Sequence, residues 1–137
     1  MKRSATAVWN GSGKEGKGVV SVQSGFIKNQ AYTYASRFEN AVGTNPEELV
    51  AAAHAGCFAM KLSFVLGAAG FTPDALNVTC TVNLEQGAII ESHLELKAKV
   101  PSISAEKFAE CANEAKATCP ISKSLTAKIT LDAKLEG

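Results

Sequence analysis

Four cysteines are the side chains of this 137-residue chain that are best suited to chemistry: Cys57, Cys80, Cys111 and Cys119. In a chain that stays in the cytosol, cysteines more often serve as reactive or metal-binding thiols than as a disulfide framework. Their spacing contains no C-x-x-C pair, which argues against a structural zinc site. Cys80 falls on the apolar face of a predicted strand and Cys111 on the apolar stripe of a predicted helix. We therefore interpret both as core residues.

Cys119 and Cys57 are the two candidates for a reactive thiol. Cys119 directly precedes Pro120, which predicts that it is the N-cap of a short helix. Free amides and the helix dipole favour a thiolate there, and cysteine is a poor choice if capping is the only role. Cys57 lies inside a long apolar helix. From spacing alone, both a reactive role and a structural role stay open for each residue.

His54 and Arg37 are the nearest candidates for partners of such a thiol. His54 precedes Cys57 by three residues and shares its helix face, so a Cys–His pair for hydrolysis or acyl transfer is one hypothesis. A hydrogen-bonded core histidine is the other. Arg37 is one of two arginines in a chain that otherwise uses lysine. It suits a site that needs a planar, bidentate cation, although a surface ion pair explains it as well.

The composition predicts a single domain over residues 1–137. The chain is 46% hydrophobic and 20% charged with a net charge of +1, which is enough apolar material for a core and too little charge for a nucleic-acid surface. Met1–Trp9 lacks the apolar run of a signal peptide, so we expect a cytoplasmic protein. Leu49–Gly70 approaches transmembrane length, but Lys61 and many small residues favour a core helix over a membrane span.

The helix that contains Cys57 has clear boundary signals. Asn45 is a good N-cap, Pro46 suits the first helical position, and Glu48 stands three residues after the cap. The helix is apolar nearly all round from Leu49 to Ala69, which predicts burial on most sides.

Alternating and helical patterns place the other elements around this helix in the order β-β-β-α-β-β-α-α-β. The predicted strands are Ala5–Trp9, Val19–Ser24, Gln30–Phe38, Leu76–Glu85, Ile90–Val100 and Lys128–Leu135, and the later helices follow Ser104 and Cys119. This pattern predicts an α+β domain with helices packed on mainly antiparallel strands.

Five segments carry a resemblance to a known family: Arg37–Glu39, Gly43–Met60, Gly67–Pro73, Cys119–Leu125 and Ile129–Asp132. They resemble the OsmC/Ohr family, and the match is nearer to OsmC (osmotically inducible protein C) than to Ohr (organic hydroperoxide resistance protein). The resemblance covers nearly the whole chain. It implies the OsmC-like fold, in which mainly antiparallel strands pack around a long buried central helix. It also implies an intertwined homodimer with active sites at the subunit interface, and thiol peroxidase activity.

The resemblance assigns roles residue by residue. Cys57 matches the peroxidatic cysteine and Cys119 the resolving cysteine. Arg37 matches the arginine that holds the thiolate, and Glu47 the glutamate that holds that arginine. Cys80 and Cys111 match no family site, and His54 lies inside the motif without an assigned role. The resemblance implies organic hydroperoxides as substrates and a small lipoyl-type dithiol as reductant, with no metal, flavin, haem, nucleic acid or membrane partner.

The implied chemistry makes two demands on the structure. Glu47 and Cys57 are ten residues apart, or about 15 Å on a continuous helix. Either that helix breaks, or Arg37 and Glu47 act on the cysteine of a partner subunit. A preference for organic peroxides also needs an apolar wall, for which the candidates are Phe38, Phe58, Met60 and Phe64.

Two other functions stay open from the sequence. One is a hydrolase or acyl transferase that uses Cys57 with His54 and needs no second cysteine. The other is a non-catalytic, OsmC-like ligand-binding domain.

Overall fold

The computed structural model describes all 137 residues, which form six strands and four helices. In chain order these are β1 (Ala5–Asn10), β2 (Lys17–Val22), β3 (Gln30–Tyr32), α1 (Tyr34–Phe38), α2 (Pro46–Ala68), β4 (Ala75–Glu85), β5 (Ala88–Lys99), α3 (Ala105–Thr118), α4 (Pro120–Ser124) and β6 (Lys128–Leu135). They fall into two compact units, Met1–Leu49 and Val50–Gly137. The organisation of residues 1–137 as a single domain stays a prediction.

The first unit is an antiparallel sheet in the order β1-β2-β3 followed by helix α1. The predicted third strand, Gln30–Phe38, is wrong from Thr33 onwards, because the strand ends at Tyr32. Thr33 and Ser36 form a reciprocal capping box: the Ser36 amide donates to Thr33 Oγ1 (3.1 Å), and the Thr33 amide donates to Ser36 Oγ (2.8 Å). This pair of bonds starts helix α1 in spite of the β propensity of the aromatic residues.

This first unit contains almost no buried side chains. Gly18 and Ser36 are its only buried residues. Several of its large apolar side chains are exposed in the single chain: Val8, Phe26, Tyr34, Phe38 and Val42. A three-stranded sheet needs an apolar face packed against something to be stable. Because this one lacks a core, its stability depends on further contacts.

Helix α2 begins and ends close to where the sequence predicts. The Glu48 amide donates to Asn45 Oδ1 at 2.7 Å, and the Thr44 hydroxyl donates to the Glu48 carboxylate. At the other end Gly70 has a φ of +92°, and the Phe71 amide donates back to the Leu66 carbonyl at 2.9 Å. A left-handed glycine is the usual way to close a helix.

The predicted burial of helix α2 on most sides is wrong for the single chain. Its buried residues lie on one face: His54, Phe58, Leu62, Val65 and Leu66. Met60 and Phe64, on the opposite face, are 66% and 69% exposed. The helix is long and apolar enough to cross a membrane. Its buried apolar residues belong to the packed core of the second unit.

The second unit contains the core and a three-stranded sheet in the order β4-β5-β6. Strands β4 and β5 form the predicted hairpin, and its turn residues Gln86 and Gly87 both have positive φ, as a two-residue hairpin loop requires. Strand β6 covers the predicted residues and pairs parallel to β5. Ser104 caps helix α3, and its Oγ accepts from the Lys107 amide. These elements pack one face of α2 into the core.

Candidate active site

The structure brings Cys57 and Cys119 together. Their Sγ atoms are 2.9 Å apart, and the Cys119 thiol donates to Cys57 Sγ. A disulfide bond is about 2.05 Å long, so the two sulfurs are within 1 Å of bonding distance. Cys119 is fully buried, whereas Cys57 is half-buried. These two thiols can therefore form a disulfide with little movement of the chain.

Local sequence explains why Cys119 points at helix α2. Its amide donates to the Ala115 carbonyl and closes helix α3. Pro120 has no amide proton and cannot continue that helix, but it suits the first position of the next one. Helix α4 therefore begins directly after Cys119. The cysteine lies at a junction between two helices and its direction is fixed by both.

The expectation that Cys119 Sγ would meet the free amides of helix α4 is wrong, because Cys119 makes no side-chain cap hydrogen bond. The Ile121 amide, in the first turn of that helix, instead acts to lower the pKa of Cys57. An amide N–H near a sulfur favours the thiolate form.

The environment within this chain raises the pKa of Cys57 above its ordinary value of 9.0. Burial is the largest cause, and the hydrogen bond from Cys119 adds to it. The Ile121 amide and the charge of Lys61 act in the opposite direction without cancelling it. Since the thiolate is the nucleophile, this cysteine needs a further cation to react at neutral pH.

Arg37 and Glu47 form a pair within the first unit. Arg37 lies in the last turn of α1 and Glu47 in the first turn of α2. Arg37 Nε donates to Glu47 Oε1 at 3.2 Å, and Arg37 Nη2 donates to the same oxygen. Burial of Glu47 favours its neutral form, but the hydrogen bond and charge of Arg37, together with a backbone hydrogen bond, outweigh it and the pKa of Glu47 is lowered. The second oxygen, Glu47 Oε2, is buried without a partner.

This pair predicts a pH dependence of stability. The pKa of Glu47 is lowered from 4.5 in the folded chain. The ionised Glu47 carboxylate therefore stabilises the folded chain fully above pH 4.5. This stabilisation is lost as pH falls through the lower pKa of the folded state. We expect Glu47→Gln to lower the free energy of unfolding by about 0.5–1 kcal/mol at pH 7, because Arg37 is partly exposed. Urea unfolding of both proteins from pH 7 to pH 3 should show the difference shrink; a constant difference would contradict the pairing.

An aromatic cavity of about 230 Å³ adjoins Arg37 in the first unit. It is lined by Trp9, Gly13, Tyr32, Tyr34, Arg37 and Phe38. The guanidinium carbon of Arg37 lies 4.9 Å from the centre of the Phe38 ring. Phe38 lines this cavity, and its predicted role in an apolar wall for the peroxide stays a prediction. Phe58 cannot contribute to such a wall, because it is fully buried in the core of the second unit.

His54 does not form the predicted pair with Cys57. It is fully buried, with Nδ1 2.6 Å from Ser92 Oγ and Nε2 2.7 Å from Ser122 Oγ. Burial lowers the pKa of His54 and keeps the ring neutral. With both ring nitrogens engaged, His54 has no free nitrogen to act as a general base for Cys57.

Sequence reasoning missed Ser92 and Ser122. A signal for Ser92 exists, since it falls in the inward-facing register of β5 between Ile90 and Leu94. Ser92 Oγ also lies 3.1 Å from Cys80 Sγ.

Cys80 and Cys111 both contact the core, as predicted, and burial raises the pKa of each thiol.

This geometry defines the class of the protein: an α+β protein with a two-cysteine site. Residues 38–134 match the family model described as OsmC-like protein, and the chain belongs to that family. It is 46% identical to Peroxiredoxin OsmC of Escherichia coli (strain K12) over 140 residues, which cover 99% of this chain and 98% of the relative. The predicted family is therefore confirmed.

Solved structures confirm the predicted fold. An OsmC-like protein of unknown function from Vibrio cholerae superposes with a TM-score of 0.75 at 12% identity, over 98% of this chain and 99% of that one. The organic hydroperoxide resistance protein OhrB of Bacillus subtilis superposes with a TM-score of 0.67 at 23% identity, over 97% and 98%. These likenesses establish the OsmC-like fold of the chain.

Proposed function

We propose that this chain is a thiol-dependent peroxidase that reduces organic hydroperoxides to alcohols. One observation carries the proposal: the 2.9 Å separation of Cys57 Sγ and Cys119 Sγ. The full-length relative named a peroxiredoxin supports the same class. In the first step, the Cys57 thiolate attacks the distal oxygen of the peroxide. The O–O bond breaks, an alkoxide leaves and takes up a proton, and Cys57 becomes a sulfenic acid.

Cys119 resolves this intermediate. Its sulfur attacks the Cys57 sulfenic acid, a disulfide forms, and water leaves. A dithiol then reduces the disulfide by exchange and is itself oxidised to a disulfide. Cys119 is fully buried and Cys57 only half-buried, so the dithiol attacks the sulfur of Cys57. A small, flexible dithiol of the lipoyl type fits this restricted access.

The pair of Arg37 and Glu47 supplies the missing cation from a second subunit. Helix α2 runs without a break from Pro46 to Ala68. Glu47 and Cys57 are therefore separated by about 15 Å of helical rise, and a guanidinium held at Glu47 does not also hold Cys57 on the same helix. Acting across a dimer, Arg37 would stabilise the Cys57 thiolate and the departing alkoxide.

The exposed face of helix α2 supports such a homodimer. From Ala52 onwards its exposed residues are small or apolar: Ala52, Ala53, Gly56, Met60, Ser63, Phe64, Gly67 and Ala68. Small residues allow a second backbone to approach closely, and a soluble monomer seldom leaves a long apolar stripe uncovered. The first unit, which has almost no buried residues of its own, would gain its missing contacts in the same assembly.

The aromatic cavity next to Arg37 gives the preference for organic peroxides a structural basis. A peroxide whose oxygens contact Arg37 would place its alkyl or aryl group against Trp9, Tyr32 and Phe38. Burial of that group stabilises binding by about 25 cal/mol per Å², and hydrogen peroxide has no such group to bury.

A cytoplasmic location, where dithiol reductants are abundant, agrees with this cycle.

The two-cysteine cycle predicts the result of a titration with one equivalent of cumene hydroperoxide. The reduced protein should lose two free thiols and two hydrogen atoms, because Cys57 and Cys119 form a disulfide and the oxygens leave as alcohol and water. Thiol counting, intact mass and peptide mapping measure this. An unchanged thiol count would contradict the peroxidase and favour a non-catalytic binding domain.

A further inference from the structure

A buried polar network joins four elements of the second unit. Ser122 on α4 contacts His54 on α2, His54 contacts Ser92 on β5, and Ser92 contacts Cys80 on β4. His54 and Ser92 are fully buried and Ser122 is 9% exposed. Because buried polar groups are costly when unpaired, these residues hold each other in one arrangement. The peroxidase cycle described above uses none of them.

The position of this network relative to the thiols gives it a role. His54 lies three residues before Cys57, on the preceding turn of the same helix. Ser122 lies in helix α4, which begins directly after Cys119, and Cys119 Sγ is 2.9 Å from Cys57 Sγ. A helix of five residues is too short to be stable alone. Its position therefore depends on contacts such as the bond between His54 and Ser122.

We propose that His54 is a positioning residue of the disulfide step: through Ser122 it holds helix α4 against helix α2, so that Cys119 Sγ stays at the Cys57 sulfur. This inference rests on the proposed function. A neutral imidazole offers one donor and one acceptor, which match two serine hydroxyls. The contact with Ser92 satisfies the other ring nitrogen, and His54 acts on the thiols only through α4.

Two amide substitutions separate this role from general support of the core. The asparagine amide lies near the position of Nδ1 and the glutamine amide near that of Nε2. His54→Asn therefore keeps the contact with Ser92 and loses Ser122, whereas His54→Gln keeps Ser122 and loses Ser92. Each variant loses one buried hydrogen bond, so urea unfolding should show comparable losses of stability. Only the asparagine variant releases helix α4.

The expected effect is on resolution of the sulfenic acid. A misplacement of about 1 Å slows a reaction about 100-fold, so disulfide formation in His54→Asn should be about 10–100-fold slower than in wild type or His54→Gln. A slowly resolved sulfenic acid meets more peroxide and is oxidised to the sulfinic acid. Intact mass and peptide mapping after excess cumene hydroperoxide should therefore show Cys57 sulfinic acid in His54→Asn and not in His54→Gln.

Serine variants provide a second pair that does not alter the histidine. Ser122→Ala should reproduce the sulfinic acid product of His54→Asn, and Ser92→Ala should behave as wild type in this assay. The positioning role would be overturned if Ser122→Ala and Ser92→Ala formed equal amounts of Cys57 sulfinic acid. Equal amounts from His54→Asn and His54→Gln would overturn it as well. Failure of the wild-type protein to form the disulfide would instead overturn the proposed peroxidase, so the two failures are distinguishable.

Discussion

A Cys119→Ser chain is expected to add two oxygen atoms to Cys57 in excess organic hydroperoxide, whereas the wild-type chain stops at a disulfide. In the wild type a thiol lies 2.9 Å from the reacting sulfur and captures the sulfenic acid before a second peroxide arrives. Serine cannot form a disulfide, so the sulfenic acid persists and is oxidised to the sulfinic acid, which ordinary thiols do not reduce. Intact mass without reductant, followed by peptide mapping, measures the change.

Turnover should follow the same pattern. With a dithiol and excess cumene hydroperoxide, Cys119→Ser should lose activity within a few cycles as sulfinic acid accumulates, and Cys57→Ser should have no activity from the start. Cys111→Ala is the matched control, because Cys111 is also a buried thiol but takes no part in the cycle. If Cys119→Ser turned over as long as wild type does, a mechanism with one cysteine would replace the one proposed here.

Much of the fold follows from short-range signals that can be read in the sequence. Asn45 and Ser104 both accept the expected amide bonds at helix starts, because a cap needs only residues three apart. The error at Tyr34–Phe38 has a local cause as well. Thr33 and Ser36 stand at capping-box spacing, and this pair outweighs the β propensity of the intervening aromatic residue. The sequence contained that signal, and it was stronger than propensity.

The site follows less directly from the sequence, because its parts are distant along the chain. Cys57 and Cys119 are 62 residues apart, and spacing assigns them no contact; the family resemblance alone paired them. The contact depends on how α3, α4 and β6 pack, and the parallel pairing of β6 with β5 has no local signature. Ser122 is an ordinary serine in a short helix, so its bond to His54 could not be predicted from residue type.

Mixing an Arg37→Ala chain with a Cys57→Ser chain is expected to restore activity that neither variant has alone. Arg37→Ala loses the cation and should fall about 10²–10³-fold in activity, as on removal of a donor that stabilises developing charge. If Arg37 acts across the dimer, a mixed dimer contains one complete site, with Cys57 from one chain and Arg37 from the other. Random mixing makes half of the dimers mixed, so about a quarter of the wild-type activity should return.

The pairing of Arg37 with Glu47 inside one chain provides the control. A mixture of Arg37→Ala and Glu47→Gln chains contains no chain in which the pair is intact, so activity should stay at the average of the two variants. Two affinity tags allow the mixed dimer to be purified and its mass checked before the peroxide assay. If the purified mixed dimer of Arg37→Ala and Cys57→Ser is inactive, Arg37 acts within its own chain. The 15 Å of rise between Glu47 and Cys57 would then have to be bridged by a change in helix α2 itself.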